Sequence, residues 1–403
     1  MLSPTEAEKR ILEAMPAWPV EACALAQARG RVVRADMRAD RDLPPYDRAM
    51  LDGYALRASS LAAGIRAFLV EAVQAAGMEG VALGPRPDAS VEIMTGAVVP
   101  KGADIVVGYE DAARDGDTMT IADALAGIAA GHAVHRRGSD HRAGETVVAA
   151  GARLTGREIA VAAACGLAVV SVSRRPRIAI VTTGDELVDV EAVPAPHQIR
   201  RSNEHALRAA LEGGGYPGAE PHHWPDDPGA IERGLGHVLS SYGVVLLTGG
   251  VSKGKFDHLP AQLERQGAKK IFHGIAQRPG KPFWFGIGPG GIPLFALPGN
   301  PVSSYTCLHR YVLPALDRAS GLAPAPRLRA ALSCPVAPKR KLAYLMPVRL
   351  ASGPRAELLA EPAPGNTSGD FAGLVGTDGF VELPPSETDF PAGFLAPFYP
   401  WVC

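Results

Sequence analysis

The chain has 403 residues, 47% of them hydrophobic, 21% charged and 6% aromatic. That excludes disorder throughout and, at roughly 150 residues per domain, calls for two to four domains. Its 45 glycines and 36 prolines are too many for a helical bundle and suit a loop-rich α/β or β protein. With 41 Lys and Arg against 42 Asp and Glu, the net charge of -1 leaves no basic excess to neutralise a nucleic-acid backbone. Local loops could still hold a small anion.

In chain order, Ser3, Pro4 and Glu6 read as a capping box with Pro at the first helical position, and Ile11, Leu12 and Met15 supply an apolar stripe. No apolar stretch follows a basic start, so the N-terminus is not a signal peptide. The five cysteines are scattered, odd in number and never spaced C-x-x-C, which fits a reducing cytoplasm. From about Leu43 to Asp140, short runs such as Ala67–Val70, Ser90–Met94 and Asp104–Val107 alternate with turn residues, and a β-rich module is expected. Ile159 to Val172, the longest apolar run, is too short to span a bilayer.

Beyond Arg177 the texture changes. Ile178–Val181, Val244–Leu247 and Leu294–Leu297 alternate with helical stretches at Asn203–Glu212, Leu259–Arg265 and from Val302, the pattern of a parallel sheet with crossover helices. Ala323-Pro324-Ala325-Pro326 marks a linker, and the alternation resumes at Leu342–Leu350 and Phe380–Leu383 as a small β domain.

Each strand of the parallel region runs into a Gly-rich polar loop: Thr182-Thr183-Gly184-Asp185-Glu186, Thr248-Gly249-Gly250-Val251-Ser252 and Pro298-Gly299-Asn300-Pro301-Val302-Ser303-Ser304. In open α/β sheets such loops meet at the carboxyl ends of the strands, and glycines let backbone N–H groups approach an anion. Three loops of this kind in one unit point to a site for a phosphate-type anion. Asp185 and Glu186 beside it would repel the ligand unless a divalent cation bridged them; carboxylate oxygens suit Mg²⁺, and Asp257 is a third candidate. Asp226 and Asp227, before Pro228, read equally well as helix caps. Arg278-Pro279-Gly280-Lys281-Pro282 presents two cations on a stiff, partly desolvated loop anchored by Phe283-Trp284-Phe285, as recognition of a compact oxyanion requires. By physics alone Asp52, in Leu51-Asp52-Gly53, and Thr95, in Met94-Thr95-Gly96, sit in turns, and Asp140 is ambiguous. No histidine spacing supports zinc.

Taken together, Asp52-Gly53-Tyr54-Ala55, Met94-Thr95-Gly96-Ala97, Thr183-Gly184-Asp185-Glu186-Leu187, Thr248-Gly249-Gly250-Val251-Ser252, Pro279-Gly280-Lys281-Pro282 and Leu297-Pro298-Gly299-Asn300-Pro301-Val302-Ser303 resemble, in order, the motifs of the MoeA family, molybdopterin molybdenumtransferases related to the gephyrin E domain. The resemblance implies a multidomain α/β plus β fold: a linking domain from residues 1–41 and 141–175, an inserted β-rich domain (42–140), a molybdopterin-binding α/β domain (176–318) and a C-terminal β-barrel (319–403). It implies a cytoplasmic homodimer with a shared active site, working with other cofactor-biosynthesis proteins. The implied reaction takes adenylylated molybdopterin and molybdate and cleaves the phosphoanhydride to release AMP. Mg²⁺ would be held by Asp185, Glu186 and Asp257, and the strand-end loops would hold the nucleotide. Arg278 and Lys281 would bind molybdate with help from Ser303 or Ser304 and from Ser368. The resemblance also gives roles to Asp52, Thr95, Asp140 and Asp226. An arginine expected after Tyr344-Leu345 is replaced by Met346. Two other readings stay open, adenylyl transfer from ATP to molybdopterin and a non-catalytic pterin-binding scaffold.

Overall fold

A computed structural model of the chain describes residues 1–122, 127–250, 259–338, 341–363 and 365–401. The first helix, Pro4–Ala14, is capped by the Ser3 hydroxyl, which accepts from the Glu6 N–H at 3.2 Å. The reciprocal half of the expected capping box is absent, because the Glu6 carboxylate turns instead to Arg10 at 2.7 Å. Val20–Ala24 then pairs antiparallel with Val169–Ser173, and Met37–Arg38 with Thr146–Val148. Cys23, Val33, Leu154 and Val172 fill the space between them.

Between these paired segments runs a six-stranded sheet in the order Ile105–Gly108, Gly53–Leu56, Ala89–Ile93, Ala67–Gln74, Thr118–Ile121, Ala112–Asp115. Its neighbours are antiparallel except Ala67–Gln74 and Ala89–Ile93. Tyr54, Leu56, Phe68 and Met119 form one side of its core.

The α/β unit contains β1 (Ile178–Thr183), α1 (Asn203–Gly213), β2 (Glu220–Trp224), α2 (Pro228–Ser241), β3 (Val244–Thr248), α3 (Leu259–Arg265), β4 (Lys269–His273), β5 (Trp284–Ile287), β6 (Pro293–Leu297) and α4 (Pro301–Cys307). The sheet order is β2-β1-β3-β6-β5-β4. Alternate residues of the central strands enter two cores: Ile178, Ile180, Leu246 and Phe295 on one face, Ala179, Val181, Val245 and Leu247 on the other. Burial on both faces is why these strands read as unbroken apolar runs. The sheet is not wholly parallel, as the strand-helix alternation had suggested. β5 pairs antiparallel with both β6 and β4, because only the short turn at Gly288–Gly291 joins β5 to β6, and a parallel pair needs a crossover of a dozen residues or more. β4 thereby points the same way as β1, β3 and β6. The loop after it, which carries Arg278 and Lys281, therefore leaves the sheet at the same edge as the glycine loops.

At the C-terminal end Ala343–Ser352 pairs with Leu358–Pro362 and with Gly379–Leu383, Arg329–Leu332 with Leu358–Pro362 and Leu395–Pro400, and Leu395–Pro400 with Gly379–Leu383. The ring of five strands closes into a barrel around Met346, Val348, Val381 and Phe398. Gln277–Arg278 adds to its edge beside Ala343–Tyr344, docking the cation loop onto the barrel.

Candidate functional site

At the carboxyl edge of the sheet lies a cavity of about 640 Å³. Thr182–Gly184 and Glu186 from the β1 loop, Thr248–Gly250 from the β3 loop and Pro298–Pro301 from the β6 loop form its walls. Its size lies within the usual range for small-molecule sites. The glycines are steric necessities: Gly249 has φ +96, and a Cβ there would fall 2.7 Å from the Thr183 carbonyl oxygen. A Cβ on Gly299 would already touch the Gly249 backbone at 3.5 Å, so the β3 and β6 loops lie against each other.

Asn203, at the start of α1, ties those loops together. Its Nδ2 donates to Thr248 Oγ1 at 3.0 Å and to the Gly299 carbonyl at 2.7 Å, while Thr248 Oγ1 donates to the Pro298 carbonyl at 3.3 Å. Its Oδ1 and the Thr183 hydroxyl are buried without a hydrogen-bond partner among the described residues, so the cavity floor holds polar atoms that no described residue satisfies.

Of the residues singled out in the sequence, Thr183, Gly184, Glu186, Asp226, Gly249, Gly250, Pro298, Gly299, Asn300 and Pro301 all line this cavity. Asp185 stands just behind the wall, its Oδ1 accepting from the Asp226 N–H at 3.1 Å. Asp227 is the helix cap, accepting from the Ala230 N–H at 2.7 Å. Ser252 and Asp257 lie outside the described residues. Among the described residues no group of three His, Cys, Asp or Glu side chains could hold a metal ion.

A recess of about 50 Å³ is lined by Arg278, Pro279, Tyr344, Ser368 and neighbouring barrel residues. Asn300 links it to the main cavity, its Nδ2 donating to Ser368 Oγ at 2.8 Å. Burial raises the Tyr344 phenol, and the Arg278 charge partly offsets the rise. Met346 belongs to the barrel core, so that position presents nothing to the recess. Arg278 and Lys281 are both exposed rather than partly desolvated, although Pro282, the neighbour of Lys281, lines the main cavity. Ser303 is buried within α4 behind Pro301.

Asp52, Thr95 and Asp140 are not among the residues lining either space. Thr95 donates to Asp52 Oδ1 from its backbone N–H at 2.6 Å and from its hydroxyl at 2.8 Å, and these bonds hold the Asp52 carboxyl below its ordinary pKa. Asp140 pairs with His135 Nε2 at 2.8 Å.

Sequence reasoning missed one wall. Leu187–Val188 and Ile199–Arg200 form a two-stranded parallel ribbon, and Leu187, Ile199, Arg200, Arg201, Ser202 and Asn203 all line the cavity. The available signal was the polar run Arg200-Arg201-Ser202-Asn203 immediately before a helix.

Geometry of this kind, a ligand-sized cavity at the carboxyl edge of a largely parallel sheet, defines a nucleotide- or cofactor-binding α/β unit, here flanked by a β-rich sheet and a closed barrel. The family model "Probable molybdopterin binding domain" matches residues 179–318, "MoeA N-terminal region (domain I and II)" matches 2–166, and "MoeA C-terminal region (domain IV)" matches 329–401. A Synechocystis protein named molybdopterin molybdenumtransferase is 39% identical over 373 residues, covering 92% of this chain and 93% of that one. A Staphylococcus aureus protein of the same name is 31% identical, over 78% of this chain and 75% of its own. A crystal structure of a molybdopterin biosynthesis MoeA protein from Pyrococcus horikoshii OT3 superposes with a TM-score of 0.82 at 25% identity, covering 100% of both chains. The chain belongs to the MoeA family of molybdopterin molybdenumtransferases, enzymes of molybdenum cofactor biosynthesis.

Proposed function

We propose that this chain inserts molybdenum from molybdate into adenylylated molybdopterin, cleaving the phosphoanhydride so that AMP leaves and the metal remains on the pterin dithiolene. The convergence of three strand-end loops on one cavity, joined through Asn300 to the Arg278–Ser368 recess, carries this reading. In it, backbone N–H groups of the Gly249-Gly250 turn and the N-terminus of α1 hold phosphate oxygens, with Thr183 and the Pro298–Pro301 loop shaping the nucleotide pocket. Arg278, Lys281 and Ser368 hold molybdate before transfer; Ser303, buried within α4, is not a contact. The recess is small, as a tetrahedral dianion requires.

The residues fit Mg²⁺. Glu186 and Asp226 put hard carboxylate oxygens on the cavity wall, and Mg²⁺ needs only one or two such ligands when substrate oxygens and water complete its shell. Glu186 and Asp185, with Asp257, would hold the ion, which when bound neutralises charge on the phosphate being released. Asp226 keeps Asp185 in place through its backbone N–H.

Asp52, Thr95 and Asp140, remote from their own chain's cavity, would serve the cavity of a second copy in a cytoplasmic homodimer. The same reading takes 1–41 with 141–175 as one linking domain, supported by the pairing of Val20–Ala24 with Val169–Ser173, and 42–140, 176–318 and 319–403 as the others. The test is AMP release from adenylylated molybdopterin with molybdate and Mg²⁺. Asp185→Asn with Glu186→Gln should lower it by about a hundredfold or more. Wild-type release that does not need Mg²⁺, or an undiminished rate in the double variant, would overturn the metal role.

A further inference from the structure

The loops and carboxylates above leave one cavity residue without a task. Arg200 ends the Ile199–Arg200 strand, beside Val188 in the ribbon register, and lines the 640 Å³ cavity. Two cations line that cavity among the described residues, Arg200 and Arg201. Arg201 is already committed: it is ion-paired to Asp189 and lies 3.8 Å from Glu204. Arg200 is not. Its Nε donates to the Ala192 carbonyl at 3.2 Å, and neither terminal nitrogen makes a hydrogen bond or ion pair with a described residue. Glu186, on the same wall, makes neither a hydrogen bond nor an ion pair with it.

We infer that Arg200 is a substrate-binding residue whose guanidinium grips a phosphate of the nucleotide. Three features carry this. The bond to Ala192 fixes the side chain through Nε, leaving the two terminal nitrogens as a planar pair of donors, the arrangement that matches two phosphate oxygens. The cavity wall otherwise presents the Glu186 carboxylate, which repels an anion, so an uncommitted positive charge has a task there. The ribbon runs directly into α1, whose first residues Ser202 and Asn203 line the same cavity, so guanidinium and helix N-terminus serve one anion together. The inference deepens the proposed function, on whose nucleotide substrate it rests.

The test is calorimetric titration of the full chain, at fixed ionic strength, with AMP, inorganic pyrophosphate and adenosine. Arg200→Gln should weaken AMP and pyrophosphate about tenfold, the usual scale of one charge-assisted contact. Arg200→Lys should restore part of the loss, and adenosine should bind all three proteins alike. Arg200 is exposed, so the urea midpoint should not move; equal loss of adenosine and AMP, or a shifted midpoint accounting for the loss, would overturn the inference. So would AMP affinity unchanged by the substitution, or no binding of AMP and pyrophosphate to the wild type. Failure of the broader reading looks different: Arg200-dependent AMP binding in a protein that releases no AMP from adenylylated molybdopterin keeps the inference and sinks the reaction. Turnover with AMP affinity indifferent to Arg200 does the reverse.

Discussion

Asn203→Ala and Asn203→Asp together test whether the cavity is held in shape from within. The alanine variant loses two hydrogen bonds, to Thr248 Oγ1 and to the Gly299 carbonyl, each contributing about 0.5–1.5 kcal/mol. The expected destabilisation is therefore about 1–3 kcal/mol. Aspartate keeps the shape and reverses the polarity. The Thr248 hydroxyl can rotate to donate to it, but the Gly299 carbonyl then faces a carboxylate oxygen, so Asn203→Asp should be the worse substitution despite its smaller change in volume. Because the lost bonds clamp the β6 loop against the β3 loop, part of that energy holds the cavity ready for ligand, and AMP affinity should fall by up to about tenfold. Urea unfolding and AMP titration measure the two effects on the same samples. Equal stability and affinity for Asn203→Asp and wild type would refute the clamp, since no polarity-dependent bond could then be operating.

Two further outcomes follow from the junction between the α/β unit and the barrel. Arg310, fully buried, pairs with Glu8 of the first helix at 3.0 Å and with Glu382 of the barrel at 2.7 Å, so Arg310→Leu strands Glu382 without its counterion and should cost about 3–5 kcal/mol. Adding Glu382→Gln should return part of that, and strictly additive losses in urea unfolding would contradict the pairing. His309 is buried against Tyr305 and Trp401, and desolvation drops its pKa to about 4. The unfolded chain binds a proton near pH 6.5 that the folded one refuses, so stability is full above that pH and is lost as pH falls toward 4, by about 2 kcal/mol between pH 7 and pH 5. His309→Gln should flatten that slope by the same amount, read from urea midpoints at the two pH values.

The parts of the site that could be read in advance share a physical cause. β1, β3 and β6 are buried on both faces, so their sequences are continuous apolar runs, and the glycine turns after them stand out against that background. β2 gives no such signal: it is an edge strand whose Pro221, His222 and His223 break the pattern. The Leu187–Arg200 ribbon is two residues deep, too short for any periodicity, yet it supplies a whole cavity wall. The Glu8–Arg310–Glu382 contact was illegible for another reason, since Arg310 meets one partner from near the start of the chain and another 72 positions further on, and each residue alone looks like an ordinary surface charge.

The cation loop is the instructive case, because its chemistry was legible and its placement was not. Arg278-Pro279-Gly280-Lys281-Pro282 declares itself as a stiff charged turn, but nothing in those residues says which edge of the sheet it occupies. The deciding residues are elsewhere, in the turn Gly288–Gly291, too short to cross the sheet and therefore able only to reverse it. That reversal makes β5 antiparallel, pairing makes β4 antiparallel to β5, and two reversals return β4 to the direction of β1, β3 and β6. A longer connection at 288–291, one able to cross over, would have left β5 parallel and removed one of those reversals. The position of the loop's two charges thus depends on a few residues that carry no charge.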